Sequence, residues 1–256
     1  MKKRVGLFVI LLLAVFISSN VHAEVYYTSN NGVNLTEQEY NILNDMYTLD
    51  YVENLTMSEY AMFLDLGLDL DNTTVSSIEV ELPEIVPISS ADAAKSNVHQ
   101  TSAKKLSITA SCEYGYCSMA NSLTWLKSPS VRSYDVFGSR FSSGVTYSGS
   151  RAATTYMSVN GSASGYTVHD FFSNGFGISL KLPTGTISSL AFTQAYRVEG
   201  DGVVFASYQH AAQTVTRLIS KQYHIASGGY GGVFDFYSNA VGKYDQMGGV
   251  YISVSS

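Results

Sequence analysis

Chemistry in this chain has few places to sit. The only two cysteines, Cys112 and Cys117, bracket Glu113-Tyr114-Gly115-Tyr116. Two thiols this close around a central glycine read as a disulfide across a hairpin tip, with a pair of free thiols as the alternative. Four intervening residues do not fit a CxxC redox motif, and no second cysteine pair completes a zinc site. Beyond residue 23 the histidines are His99, His169, His210 and His224. His169-Asp170 is the one place where histidine and carboxylate adjoin, so these two are the acid–base candidates. A dyad also needs a nucleophile brought near in space. Neither Gly-x-Ser-x-Gly nor His-Glu-x-x-His occurs. Glu113, Asp135, Asp170, Glu199, Asp201, Asp235 and Asp245 are available for paired-carboxylate hydrolysis, but no spacing singles out a pair.

Two further clusters invite a ligand. Asp65, Asp69, Asp71 and Asn72 suggest calcium, yet a loop starting at Asp69 has Thr74 and Val80 where an EF-hand needs glycine and glutamate. The tract reads as a solvated acidic loop. Gly228-Gly229-Tyr230-Gly231-Gly232 lacks the Gly-Lys-Ser/Thr ending of a phosphate loop. Tyr230, flanked by Gly229 and Gly231, offers an apolar ring face and a polar tip, which suits a contact loop. No motif calls for a cofactor or a metal.

The elements that must position these residues fall into two groups. Asn34-Leu35-Thr36-Glu37-Gln38-Glu39-Tyr40 recurs as Asn54-Leu55-Thr56-Met57-Ser58-Glu59-Tyr60. Each copy places Thr at the N-cap, Glu at N3 and a Leu–Tyr pair to clamp the first turn: a capping box with a hydrophobic staple, written twice. The spacing predicts helices from about Glu37 to Thr48 and from about Met57 to Leu66. Their inward residues would be Tyr40, Leu43 and Tyr47, then Tyr60, Phe63 and Leu64. Before them, Glu24 to Val33 reads as a short hairpin turning at Asn30-Asn31-Gly32. From Leu106 onward, short alternating runs lie between turn signals. They include Ser118–Leu126, Val131–Phe141, Tyr166–Phe172, Ser189–Val198 and Gly249–Val254. Thr214–Ile225 also reads as strand, on its Thr, Val and Ile content.

The predicted fold class is therefore mainly β: a C-terminal β-sandwich over 106–256, preceded by a small two-helix N-terminal module over 24–71. A linker is expected over 72–105, with Lys104-Lys105 as its protease-sensitive end. Lys2, Lys3 and Arg4, the apolar run Gly6–Ile17, and Val21-His22-Ala23 form a secretory signal over 1–23, with cleavage between Ala23 and Glu24. The run is shorter than the roughly 20 residues a spanning helix needs. Charge divides the same way. Residues 24–105 carry three lysines against 14 acids, a net of −11, and residues 106–256 carry nine Lys/Arg against seven acids, a net of +2.

On Tyr26-Tyr27-Thr28, Asn31-Gly32 and the Leu-Thr-x-x-Glu-Tyr start, the segment from Val25 to Gly67 resembles an N-terminal module found in uncharacterised secreted proteins of Gram-positive bacteria. That resemblance implies export and carries no known activity. The leading expectation is a secreted binding protein, not an enzyme, whose partner is a glycan, a cell-envelope component or a membrane surface, and not nucleic acid. The alternatives are a membrane-active toxin with an acidic pro-region and a secreted hydrolase.

Overall fold

The computed structural model describes residues 24–74, 98–100, 104–113, 115–168, 170–227, 232–245 and 247–256. The signal segment up to Ala23 lies outside them, as do His169 and the contact loop Gly229, Tyr230 and Gly231. Among the described residues no helix is long and apolar enough to cross a membrane.

The N-terminal module begins with β1 (Tyr27–Thr28) and β2 (Asn34–Leu35), paired through a turn that Gly32 closes at φ +81°. Three helices follow: α1 (Glu37–Met46), α2 (Leu49–Glu53) and α3 (Met57–Leu64). Both capping boxes form. Thr36 and Thr56 accept from the Glu39 and Glu59 amides, and those glutamates accept from the Thr36 and Thr56 amides at 2.9 Å. The extra helix, α2, starts at a third cap, Thr48, which accepts from the Tyr51 amide. Leu64 departs from the expected inward face and is exposed, whereas Phe63 is buried.

The remaining strands are β3 (Thr73–Thr74), β4 (Val98–Gln100), β5 (Lys104–Glu113), β6 (Tyr116–Trp125), β7 (Tyr134–Phe141), β8 (Val145–Tyr147), β9 (Thr154–Val159), β10 (Ser162–Thr167), β11 (Asp170–Phe172), β12 (Gly175–Lys181), β13 (Leu190–Gly200), β14 (Gly202–Gln209), β15 (Tyr223–Ile225), β16 (Phe234–Phe236) and β17 (Val250–Val254). All pairings are antiparallel. One sheet runs β10-β9-β13-β6-β5-β3, with β4 on β5 and β8 on β13; the other runs β11-β12-β7-β14-β17. Their inner faces meet in a core that includes Leu106, Met119, Leu123, Trp125, Phe137, Phe176, Phe192 and Tyr208. Mid-core, the period-2 pattern admits polar residues that satisfy one another. Asn121 donates to Ser139 Oγ at 2.7 Å and to Gln194 Oε1 at 3.2 Å, and Tyr196 donates to Asn121 Oδ1 at 3.1 Å.

Both outer faces are covered. On the larger sheet, β5, β6 and β13 turn out small and hydroxylic residues: Ser107, Thr109, Ala120, Ser122, Ala191, Thr193 and Ala195. The helices lie against this face and share one apolar cluster with its alanines, through Leu43, Met46, Tyr47, Tyr51 and Phe63. Specific bonds fix the docking. Tyr47 Oη and Thr193 Oγ1 are 2.6 Å apart, Ser107 Oγ donates to Met46 O at 2.8 Å, and Arg151 Nη1 donates to Leu66 O at 2.6 Å. Thr56 Oγ1 donates to Gly161 O at 2.5 Å. Asn160 and Gly161 both take positive φ in the β9–β10 turn, and a Cβ on Gly161 would sit 2.5 Å from the Thr56 methyl. On the smaller sheet, an excursion over residues 210–245 packs Val215, Tyr223, Ile225, Val233 and Tyr244 onto Val136 and Phe205.

Three further sequence expectations change. Thr214–Ile225 is not one strand: Thr216 caps a short helix, α4 (Arg217–Ser220), before β15 begins. The capping hydroxyl and the need to lay Val215 and Ile225 on the sheet outweigh the β-branched composition. Tyr166–Phe172 divides at buried Val168, because β10 belongs to one sheet and β11 to the other. Lys104 and Lys105 lie inside β5 instead of ending a linker. Lys104 is 4% exposed, and Lys105 Nζ donates to the Asn44 and Tyr47 carbonyls at the end of α1.

Candidate functional site

Cys112 and Cys117 face each other at the tip of the β5–β6 hairpin and are joined by a disulfide. The bond is architectural: it closes the hairpin that lies in the middle of the larger sheet.

Asp170 opens the edge strand β11, directly opposite Gly177 of β12. Its carboxylate accepts from Lys221 Nζ at 2.8 and 3.1 Å. Lys221 is placed there by α4, whose C-cap it forms. The next two residues, Phe171 and Phe172, point to opposite sides of the edge strand. Phe171 packs on Tyr147 at 4.9 Å between ring centroids and on Phe176 at 5.7 Å, yet stays 43% exposed. Phe172 packs on Tyr223 at 5.9 Å and stays 38% exposed. The hairpin turn is anchored by Asn174, which donates to Ala226 O at 3.0 Å.

These residues enclose an open groove of about 380 Å³, lined by Asp170, Phe171, Phe172, Lys221 and Tyr223. The Tyr223 ring is 97% buried, at 3% exposure. Its hydroxyl lies over Gly177, where a Cβ would come within 2.5 Å, so only glycine leaves it room. That hydroxyl has no hydrogen-bond partner among the described residues. Burial, then the nearby Asp170 charge, pushes the phenol's pKa well above its usual value, so it remains a neutral donor. The groove therefore offers the Phe172 ring and a carboxylate–ammonium pair, while the Tyr223 hydroxyl stays sealed against Gly177.

A second polar cluster sits at one end of the sandwich. Asp135 is fully buried and accepts from His210 Nδ1 at 3.0 Å, from the Ala211 amide at 2.9 Å, and from the Tyr208 hydroxyl. Burial pushes the carboxyl's pKa up against the pull of these donors. The His210 amide donates to Asp245 Oδ1 at 2.7 Å, and Lys104 pairs with the same carboxylate. Trp125 meets the His210 ring edge-on at 4.8 Å. This arrangement orients an imidazole as an acid–base dyad does. Among the described residues, however, no hydroxyl or thiol bonds to its Nε2, and the bonds made by Asp135 clamp β7 to the end of β14.

Of the residues singled out in the sequence, Asp170 reaches the groove, paired with a lysine. Glu24 is exposed at the start of the module. His224 lies 3.4 Å from Asp235, both well exposed. Asp65, Asp69 and Asn72 serve local structure: Asp65 lies 3.6 Å from Arg151, and Asp69 caps a single 3-10 turn through the Asp71 amide. Sequence reasoning passed over Phe171, Phe172, Lys221 and Tyr223. The available signal was two adjacent phenylalanines before the Ser173-Asn174-Gly175 turn, where a strand end has no need of both. No protein-family model matches the chain, and no curated protein matches it.

Proposed function

We propose that the chain is an exported recognition protein that holds a component of a cell surface through the groove beside β11. One observation carries the reading: the partly exposed Phe172 ring and a lysine–aspartate pair are fixed in one concavity by the fold, with Phe171 partly exposed on the other side of the same strand. Export is supported by the basic, apolar and small-residue order of residues 1–23, and by the likeness of residues 25–67 to a module of secreted proteins. Binding needs no moving part here, because Phe171 and Phe172 are already held by Tyr147, Phe176 and Tyr223. A preformed aromatic platform loses little conformational freedom when a ligand arrives.

The test is co-sedimentation of the purified chain with cell-envelope fractions and with dye-loaded liposomes. Retention on envelope material without dye release is the expected result, reduced about tenfold by Phe172→Ala, the loss of one well-packed aromatic contact. Dye release would favour the membrane-active alternative. Absence of retention on either material would remove the recognition reading.

A further inference from the structure

We infer that the free edge of β10 is an interaction surface whose partner is β10 of a second copy of this chain, paired antiparallel about a two-fold axis at Tyr166. The inference stands apart from the groove and does not rest on the recognition reading.

β10 pairs on one side only, with β9, and its six residues keep an unbroken register from Ser162 opposite Val159 to Thr167 opposite Thr154. A sheet edge presents a row of unpaired amides and carbonyls, which folded proteins blunt with charge, proline, a bulge, short length or a cover. The other edges of this sandwich are treated in such ways. β3 and β4 are two and three residues long, β11 is three residues long and opens on the charged Asp170, and β17 lies close to β5. β10 reads Ser-Ala-Ser-Gly-Tyr-Thr, without charge or proline, and five of its six residues are exposed.

One hydrogen bond sets the register that a partner can take. The Ala163 amide donates to Ser58 Oγ at 3.1 Å, away from β9. Backbone groups alternate in direction along an antiparallel strand, so those of Gly165 and Thr167 point the same way. Ser58, in the first turn of α3, already fills the place in front of the Ala163 amide. Gly165 and Thr167 are left open to a new strand. A second copy uses both when Gly165 faces Thr167 of that copy and Thr167 faces its Gly165. Each pair exchanges two N–H···O bonds, four in all. Tyr166 then meets its own counterpart on the axis, in the kind of pair where side chains approach most closely. It is 46% exposed, and an aromatic pair across two strands is stabilising. The alternative register, with Gly165 on the axis, would drive Thr167 of the second copy into Ser58. Each copy consumes its own edge, so the assembly closes at two. The contact is short, and the association is accordingly a weak one.

Sedimentation equilibrium on the chain from Glu24 to Ser256, at about 10 to 500 µM in physiological salt, reads the association. A reversible monomer–dimer equilibrium is expected. Thr167→Pro removes an outward amide and leaves the ladder to β9 whole, while Tyr166→Lys sets like charges opposite each other. Each should weaken the dimer about tenfold or more. Tyr166→Lys changes only an exposed side chain, so it decides the matter if the proline variant fails to fold. Tyr166→Cys should cross-link to its own copy in air, because the paired Cα atoms stand about 4.5 Å apart, within disulfide range. Ser164→Cys should not, since its two copies are offset by four residues along the strands, roughly 13 Å. A monomer mass over the whole range, growth beyond the dimer, a dimer indifferent to both Thr167→Pro and Tyr166→Lys, or equal cross-linking by Ser164→Cys and Tyr166→Cys would each overturn the assignment.

Discussion

The Tyr223 hydroxyl is buried without a partner, and its removal should be felt as a gain in stability. Tyr223→Phe is expected to raise the unfolding free energy by about 1 kcal/mol, read from urea denaturation, because the desolvation cost of the hydroxyl disappears while the ring stays packed. Asp135 behaves in the opposite way. It gathers His210, Ala211 and Tyr208 around one carboxylate in the core. Asp135→Ala leaves three donors without an acceptor and should cost about 3–5 kcal/mol in the same measurement, with the far-ultraviolet spectrum still that of a β-protein. His210 and Asp135 stand 75 residues apart in sequence. Nothing local in the chain announces their meeting, whereas the adjacency of His169 and Asp170 draws attention to a pair whose aspartate is engaged by Lys221.

Helix starts are the elements best written into the sequence. Thr, then Glu three positions on, is a local code, and both copies fold as capping boxes. Thr56→Ala should cost about 1–2 kcal/mol by thermal or urea unfolding, since it removes the cap and also the bond to Gly161 O. The strands of the sandwich are legible for the same reason, through their period-2 alternation and the glycine and asparagine turns between them. Crossing elements are not. β10 and β11 read as one run because the pattern of side chains continues through Val168 while the hydrogen-bonding partners change. The 210–245 excursion is equally hidden. Its apolar residues lie on the outer face of a sheet already complete on its inner face, and that long-range packing sets where α4 and β15 fall. The groove depends on this crossing and this excursion together, which is why only Asp170 of its five residues stood out beforehand.

At the scale of the molecule, the acidic module and the sandwich are one packed body. Apolar side chains form the centre of the docking, and neutral hydrogen bonds such as Tyr47–Thr193 and Ser107–Met46 stand beside charged donors, Lys105 on the Asn44 and Tyr47 carbonyls and Arg151 on the Leu66 carbonyl and near Asp65. Tyr47 lies at its centre, and burial pushes that phenol up to about 12 from an ordinary value of 10.0. The raised value means that the unfolded chain ionises first. Stability from this group is whole below pH 10 and is lost as pH climbs toward 12, by about 3 kcal/mol in all. Tyr47→Phe should flatten the decline of stability over that range by about one proton's worth, 1.4 kcal/mol per pH unit. The docked face has a consequence for the order in which the molecule can be finished. Leu43, Met46 and Tyr47 rest on β5, β6 and β13, and β13 closes only at Gly200. A chain emerging from its N-terminus therefore carries these helices uncovered until most of its length is out. Helices this short do not hold alone. The early part of the protein stays open while the rest of the chain is still emerging, and it sets only after the strands that receive it have arrived.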